Sequence, residues 1–417
     1  MSLQHLSHNE WLAQFNLHLT NAGYAHGTRK YYVPRTGEFL AYLRRQRIGL
    51  SSVRPTDVDR YLQHALHRFR PRYGRSPADM SSWRTAHAAP VALFLRFARG
   101  QWPLDRRPTT ATERFRRQLR EDYVQWMFEV RGLSTQTVSG RCKEMLRFMA
   151  WLGERADRAG IAALSLPDID RYLRHRATSQ CRSSMRTVVN WMRPLLRWLH
   201  TAGLIDRDLS ITVVAPSGYA LEGIPSALRQ EDVEKVLFVA RQVHTARGIR
   251  DYAILMLLAR YGMRAGEIAA LQLDDIDWRK EVIRVVHAKT GVTSRLPLLP
   301  EVGDAILRYL QEARPTVSFR EIFIRHPAPH SPFRRGGSLY SIIRKRLDSA
   351  GITIPGRRGP HAFRHTRAVS LLRARVPLKE IGDVLGHRST ISTMTYLKLA
   401  TDDLRAVALD IPQGVQA

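Results

Sequence analysis

Apolar side chains recur every three or four positions through most of residues 1–205. Tyr123, Met127 and Val130 fall on one face of a predicted helix, and Met145, Phe148, Met149 and Leu152 on one face of another. Pro167-Asp168 is a usual helix opening, and Gly203 closes the last apolar run of this half. Clear alternating strands are missing from it. The pattern changes later in the chain. Glu231 to Val243 reads as an amphipathic helix and Asp251 to Tyr261 as a strongly apolar one. Lys280 to His287 alternates and is rich in β-branched residues, Lys289-Thr290-Gly291 turns the chain, and Ser294 to Leu298 returns. Together these predict a small antiparallel hairpin, with Pro297 placing the second strand at an edge. Helices are then predicted over 302–313, 338–350, 360–375 and 378–385.

The helical half repeats itself. Phe39-Leu40-Ala41-Tyr42-Leu43 returns as Phe148-Met149-Ala150-Trp151-Leu152. Pro55 to Leu62 (PTDVDRYL) returns as Leu166 to Leu173 (LPDIDRYL), and Leu95-Arg96-Phe97 as Leu196-Arg197-Trp198. The spacing is near a hundred residues, too long for a solenoid unit, and fits duplication of a small helical domain. Residues 1–101 and 112–205 are therefore each expected to form a bundle of four or five helices. Residues 102–112, with Pro103, Pro108 and Thr109-Thr110, read as the joint between them. Pro216, Gly218, Gly223 and Pro225 mark 209–227 as a linker. Residues 225–411 follow as an α+β part, mainly helical with one small sheet.

The charge balance narrows the partner. The 417 residues carry 66 Lys+Arg against 37 Asp+Glu, a formal charge of +29, and the excess runs through all three parts of the chain. A large polyanion contacted along much of the molecule, most simply nucleic acid, accounts for it. A coding bias toward arginine is the competing explanation, since only eight of the 66 basic residues are lysine. Two cysteines, Cys142 and Cys181, cannot build a disulfide framework and suit a reducing compartment. No apolar stretch approaches a membrane span, and the first residues lack a basic stretch followed by an apolar run. A soluble cytoplasmic protein is the expectation.

Four segments of the last part carry side chains suited to chemistry. The first is Arg260-Tyr261-Gly262-Met263-Arg264-Ala265-Gly266-Glu267-Ile268. Arg264 lies just past a helix-breaking glycine, so its guanidinium is expected near the surface with its fork free. A guanidinium matches two phosphate oxygens at once and keeps its proton. A solvated arginine before a helix-starting Glu267 is the plainer reading of that segment alone. The second is Pro360-His361-Ala362-Phe363-Arg364-His365-Thr366, where i, i+3 spacing puts His361 and Arg364 on one face. A histidine there can move a proton near neutral pH. His361 and His365 also have zinc-ligand spacing, but the intervening Glu of HExxH and a nearby third ligand are missing. Purely structural histidines are the other reading. The third segment is Leu385-Gly386-His387-Arg388-Ser389, followed by Thr393-Met394-Thr395-Tyr396. Gly386 reads as the residue after a helix end, leaving His387 on the next turn. The fourth is Lys289 in the hairpin turn. A lone tyrosine ordinarily packs and a turn lysine is ordinarily solvated, so neither is specific by itself.

Taken in order, Arg264, Lys289, His361, Arg364, His387 and Tyr396 resemble the tyrosine recombinase (phage integrase) family at every catalytic position. The match spans about 190 residues, with Phe363 and Arg367 as mild departures from the family's pattern. The resemblance implies a mainly α multidomain protein: two core-binding-like helical bundles before an α+β catalytic domain with a small antiparallel sheet. Residues 1–101 exceed the usual two-domain plan. It further implies DNA cleavage and rejoining through a 3′-phosphotyrosyl link, with a free 5′-OH and without ATP, metal or other cofactor. Tyr396 would be the nucleophile, Arg264 and Arg364 would stabilise the five-coordinate phosphorus, and His361 would exchange the phenolic proton. His387 would hydrogen-bond a non-bridging oxygen and Lys289 would protonate the leaving 5′ oxygen. Double-stranded DNA held in a basic C-shaped clamp is the implied partner, with a homotetramer on two duplexes. Related recombinases or accessory DNA-bending proteins are further candidate partners. The apolar set Leu404, Val407, Leu409 and Ile411 would dock on a neighbouring subunit or pack in cis.

Two other readings compete. Val376 to Gly386 looks like half of a helix-turn-helix, as in a non-catalytic DNA-binding regulator. Such a regulator has no physical reason to keep all six residues. A type IB topoisomerase-like relaxing enzyme shares the tyrosine chemistry, but duplicated bundles and a docking tail favour synapsis of two duplexes.

Overall fold

The computed structural model describes residues 6–74, 76–103, 108–217, 227–287, 291–333, 337–353, 359–386 and Thr393. Its residues cluster into two compact units, 104–222 by itself and 1–103 together with 223–417.

The first bundle comprises α1 (His8–Asn21), α2 (His26–Arg45), α3 (Pro55–Tyr73) and α4 (Met80–Arg99). Ser7 and Glu10 form a capping box that satisfies the first amides of α1. Trp11, Phe15, Phe39, Tyr61, Phe94 and Leu95 fill the core. The second bundle comprises α5 (Ala111–Glu129), α6 (Thr135–Leu152), α7 (Arg158–Ala162), α8 (Leu166–Ala177) and α9 (Arg182–Thr201). Its core holds Tyr123, Met127, Met145, Phe148, Tyr172 and Leu196. Val130 departs from the expected face: it is 67% exposed because the chain is already leaving α5 there. The expected linker also starts later than its composition implies, since Val213 is buried in the second core and Leu209 and Ala215 pack on it.

The repeat read from the sequence is a repeat of packing. Phe39 meets Tyr61 edge-on with ring centroids 5.1 Å apart, and Phe148 meets Tyr172 edge-on at 4.9 Å. Asp57 accepts the Arg54 amide at 2.8 Å, just as Asp168 accepts the Ser165 amide at 3.1 Å.

The α+β part is built around α11 (Ala246–Tyr261), whose apolar residues face every direction and are buried accordingly. Around it pack α10 (Gln230–Arg241), α13 (Pro300–Arg308) and α15 (Pro360–Arg373). The short α12 (Ala265–Ala270), α14 (Gly337–Ser349) and α16 (Leu378–Leu385) complete the described helices. Strands β1 (Ile276–Asp277), β2 (Val282–His287) and β3 (Val292–Pro297) form one antiparallel sheet in that order. Register pairs Ile283 with Leu296 and His287 with Val292. The hairpin and its edge Pro297 match expectation, whereas two-residue β1 is too short to leave a periodic signal. The predicted 302–313 helix changes geometry midway: Tyr309–Ala313 is a π-helical turn. There Tyr309 stacks on Phe323 at 5.5 Å and its hydroxyl accepts the Ile324 amide at 3.1 Å.

Candidate active site

Three of the six residues singled out by the sequence, Arg264, His361 and Arg364, are among the described residues; Lys289, His387 and Tyr396 lie outside them, as does the 402–411 tail.

Arg264 caps the N-terminus of α12, directly after Gly262 and Met263 at the end of α11. The left-handed Gly262 (φ 65°) makes that break possible. A Cβ at Gly262 would also fall 2.9 Å from Leu385 Cδ2, so the α11 end lies directly against the α16 end. The Arg264 fork is not free as expected. Its Nη1 donates to Glu267 Oε1 at 2.7 Å and its Nη2 to the Gly386 carbonyl at 3.1 Å. The reason is local: Glu267 is the third residue of α12 and folds back to accept the Arg264 amide at 2.7 Å. Of the five guanidinium donors, three have no partner among the described residues, and the side chain is 21% exposed.

Arg364 comes from α15 and is buried. Its Nη1 donates to the Gly262 carbonyl at 2.8 Å and its Nη2 to the Leu385 carbonyl. The two arginines, 100 positions apart in sequence, thus hold the consecutive carbonyls of Leu385 and Gly386. These are end-of-helix carbonyls that α16 itself leaves without partners.

His361 and Arg364 share α15, with His361 exposed and Arg364 buried. His361 sits in the first turn of that helix, with its ring stacked on His365 at 6.1 Å. Burial, followed by the charges of His361 and Arg364, pushes His365 down to about 4. His365 is accordingly neutral at physiological pH. Thr366 is a further joint: its hydroxyl accepts the Leu228 amide at 2.7 Å, tying the start of this part to α15.

Beneath Arg264 lies a buried polar chain that the sequence reading did not single out. Glu267 Oε1 also bonds His287 Nδ1 at 2.7 Å, and His287 Nε2 lies 2.9 Å from Ser294 Oγ. Burial alone would raise the Glu267 carboxyl. Hydrogen bonds from His287 and from the Arg264 amide and guanidinium outweigh it and hold the group below the ordinary glutamate value. His287 also forms the floor under Gly386, because a Cβ there would meet the imidazole at 2.3 Å. The alternation of β2 carried the signal, since it puts His287 on the same buried face as Ile283 and Val285. Among the described residues, no three His, Cys, Asp or Glu side chains group as a metal site would require.

Comparison with known proteins adds the family. The profile of the phage integrase family matches residues 226–402. An integrase/recombinase of Sinorhizobium fredii, y4gC, is 53% identical over 189 residues, covering 45% of this chain and 97% of the relative. A second from the same organism, y4rA, is 32% identical over 407 residues, 95% of this chain and 93% of the relative. Among solved structures, a lambda integrase tetramer bound to a Holliday junction shares the fold, with a TM-score of 0.53 at 15% identity. That match covers 78% of this chain and 90% of the integrase.

Proposed function

The chain belongs to the phage integrase family of tyrosine recombinases, and on that premise we propose how its residues cut and rejoin DNA. It is a tyrosine-type site-specific recombinase; neither the regulator nor the relaxing-enzyme reading is favoured by its relatives. Tyr396 supplies the nucleophile. An unassisted phenol ionises near pH ~10, so attack at neutral pH needs a base and a stabilised transition state. His361, exposed on the first turn of α15, takes the phenolic proton. The Tyr396 oxygen bonds to phosphorus, the bond to the 5′ oxygen breaks, and Lys289 gives that oxygen its proton. Arg264, Arg364 and His387 hold the non-bridging oxygens as charge accumulates on them. A donor aimed at such charge is worth roughly 10²–10³ in rate. The phosphotyrosyl link conserves the bond energy, so a 5′-OH from a second strand reverses the step and seals a new junction. Neither nucleotide nor metal enters this balance.

The observation that carries the reading is the meeting of Arg264 and Arg364 at adjacent carbonyls, one residue before His387. Without DNA, carbonyl oxygens occupy some of the donors that phosphate oxygens would take. Double-stranded DNA is the partner, in keeping with the +29 charge. Exchange between two duplexes breaks four strands, and each chain offers one nucleophile, so a homotetramer is the working assembly. Lambda integrase, which shares the fold, was solved as a tetramer.

The test is covalent capture. Footprinting on DNA flanking the gene locates the binding site, and a nicked duplex carrying that site traps the intermediate. The wild-type chain gives an SDS-resistant adduct, while Tyr396→Phe binds the duplex with near-normal affinity and gives none. An adduct from Tyr396→Phe would remove Tyr396 as nucleophile.

A further inference from the structure

The two bundles repeat in packing but not in charge, and the difference opens a cleft in the first. In the second bundle, Glu144 of α6 is buried, with 1% exposed. Its carboxylate accepts from the Tyr172 hydroxyl at 2.7 Å, from Arg176 Nε at 3.0 Å and from Arg147 Nη1 at 2.9 Å. The polar space between α6 and α8 is thereby filled and neutralised.

The repeat alignment that pairs Phe39 with Phe148 and Tyr61 with Tyr172 puts Arg35 at the place of Glu144. It puts Glu38 at the place of Arg147 and Ala65 at the place of Arg176. A cation thus stands where the second bundle has its central anion, and a methyl group stands where it has a long guanidinium. The result is a cleft of about 690 Å³ between α2, α3 and α4, within the size range of small-ligand sites. Arg35, Arg45, Arg68, His64, Tyr61 and Glu38 line it. Polar atoms remain unsatisfied there. Arg35 Nε and His64 Nε2 are buried without a hydrogen-bond partner. Among the described residues, Tyr61, 2% exposed, has a 3.4 Å bond to the Arg35 carbonyl, whereas its counterpart Tyr172 has a carboxylate. Arg35 itself is held in place with its guanidinium 3.3 Å from the Tyr31 ring centroid. Among the described residues, three arginines and one carboxylate line the cleft, and the buried Arg35 Nε there has no partner; that composition suits an anion.

We propose that this cleft binds a phosphate group, its oxygens taking the position that the Glu144 carboxylate takes in the second bundle. The volume exceeds one phosphate and accommodates a nucleotide unit. In a DNA-recombining protein the source is the DNA backbone, which makes the first bundle a second anchor on the duplex. A free nucleotide carries the same chemistry. The DNA source rests on the recombinase reading; the phosphate chemistry does not.

The experiment uses the full chain and three probes: inorganic phosphate, AMP and a fluorescein-labelled 20-base-pair duplex, the length of roughly two helical turns. Calorimetry reads the first two and fluorescence anisotropy at several salt concentrations reads the third. The triple variant Arg35→Glu, Glu38→Arg, Ala65→Arg rebuilds the second bundle's ion network inside the first. Arg68→Gln changes one exposed side chain and covers the case in which the triple variant does not fold. For a backbone phosphate, both variants weaken duplex binding and lower the salt slope by about one per lost contact, with no AMP binding to wild type. For a free nucleotide, AMP binds the wild type and is lost in both variants while duplex binding holds. Variants that match the wild type with all three probes overturn the proposal. These titrations read binding alone, so their failure is separate from a failed covalent capture at Tyr396.

Discussion

Glu267→Gln changes one atom in the chain of contacts beneath Arg264, and its consequences can be worked through. Glu267 accepts three bonds of 2.7 Å: the Arg264 amide on Oε2, and Arg264 Nη1 and His287 Nδ1 on Oε1. A glutamine has one accepting atom and one donating group. Its carbonyl can face the guanidinium and imidazole, which sets its NH₂ against the Arg264 amide, donor against donor. The reverse orientation is worse, because two donors then face the NH₂. The better orientation loses the cap bond and the charge assistance, together worth about 1.5–3 kcal/mol at this burial. The effect on catalysis has a ceiling. On the proposed role of Arg264 as a donor to the transition state, its complete loss would cost roughly 10²–10³ in cleavage rate, and a loosened Arg264 would cost less. The assay is a double-mutant cycle on the rate of covalent capture at saturating protein. If Glu267 acts by positioning Arg264, Glu267→Gln slows capture in the wild-type background and has little further effect in Arg264→Ala. Independent, multiplying effects of the two substitutions would refute the positioning role. A pH profile gives a second readout. The folded carboxyl titrates below its unfolded value, so its stabilisation is complete above about pH 4.3, the ordinary glutamate value, and is lost as pH falls through the depressed folded value. Glu267→Gln removes that acid dependence.

Two further outcomes follow from buried charge. Asp251 bonds Arg250 at 2.7 Å through one carboxylate oxygen and Arg346 at 2.6 Å through the other, and all three are buried. Asp251→Ala leaves two uncompensated guanidiniums and is expected to cost about 3–5 kcal/mol by denaturant unfolding; a loss within experimental error would contradict this account. Burial also holds His365 and His326 down to about 4, so the unfolded chain takes up protons that the folded chain refuses. Stability should fall as pH drops from about 6.5 toward 4, and His326→Gln with His365→Gln should flatten that slope in acid-titration melts.

The fold was legible wherever burial imposes a period. The bundles, the β2–β3 hairpin and the helices of the α+β part follow from apolar spacing, because each element must turn one face to a core. The misses have a common cause. Val130 keeps the helical period but falls at a helix end, and the π turn at Tyr309–Ala313 sits where Tyr309 meets Phe323 and Ile324. Neither is visible in a linear pattern. At the candidate site, residue types marked Arg264 and Arg364 but not their engagement. What brings the two together is the consecutive backbone carbonyls of Leu385 and Gly386, and a carbonyl has no letter in the sequence.

The same limit explains why Glu267 and His287 went unread, and it has a consequence for how this site works. A charged side chain is identified by type, but whether it is spent on structure or left for substrate depends on what lies within 3 Å of it. Arg364 is buried and holds two helix ends together, so it is a structural strut before any DNA arrives. Arg264 has three donors without partners among the described residues, and partial exposure. On the proposed mechanism, phosphate would meet the partly exposed Arg264 first, whereas the buried Arg364 would reach it from its seat against the Gly262 and Leu385 carbonyls.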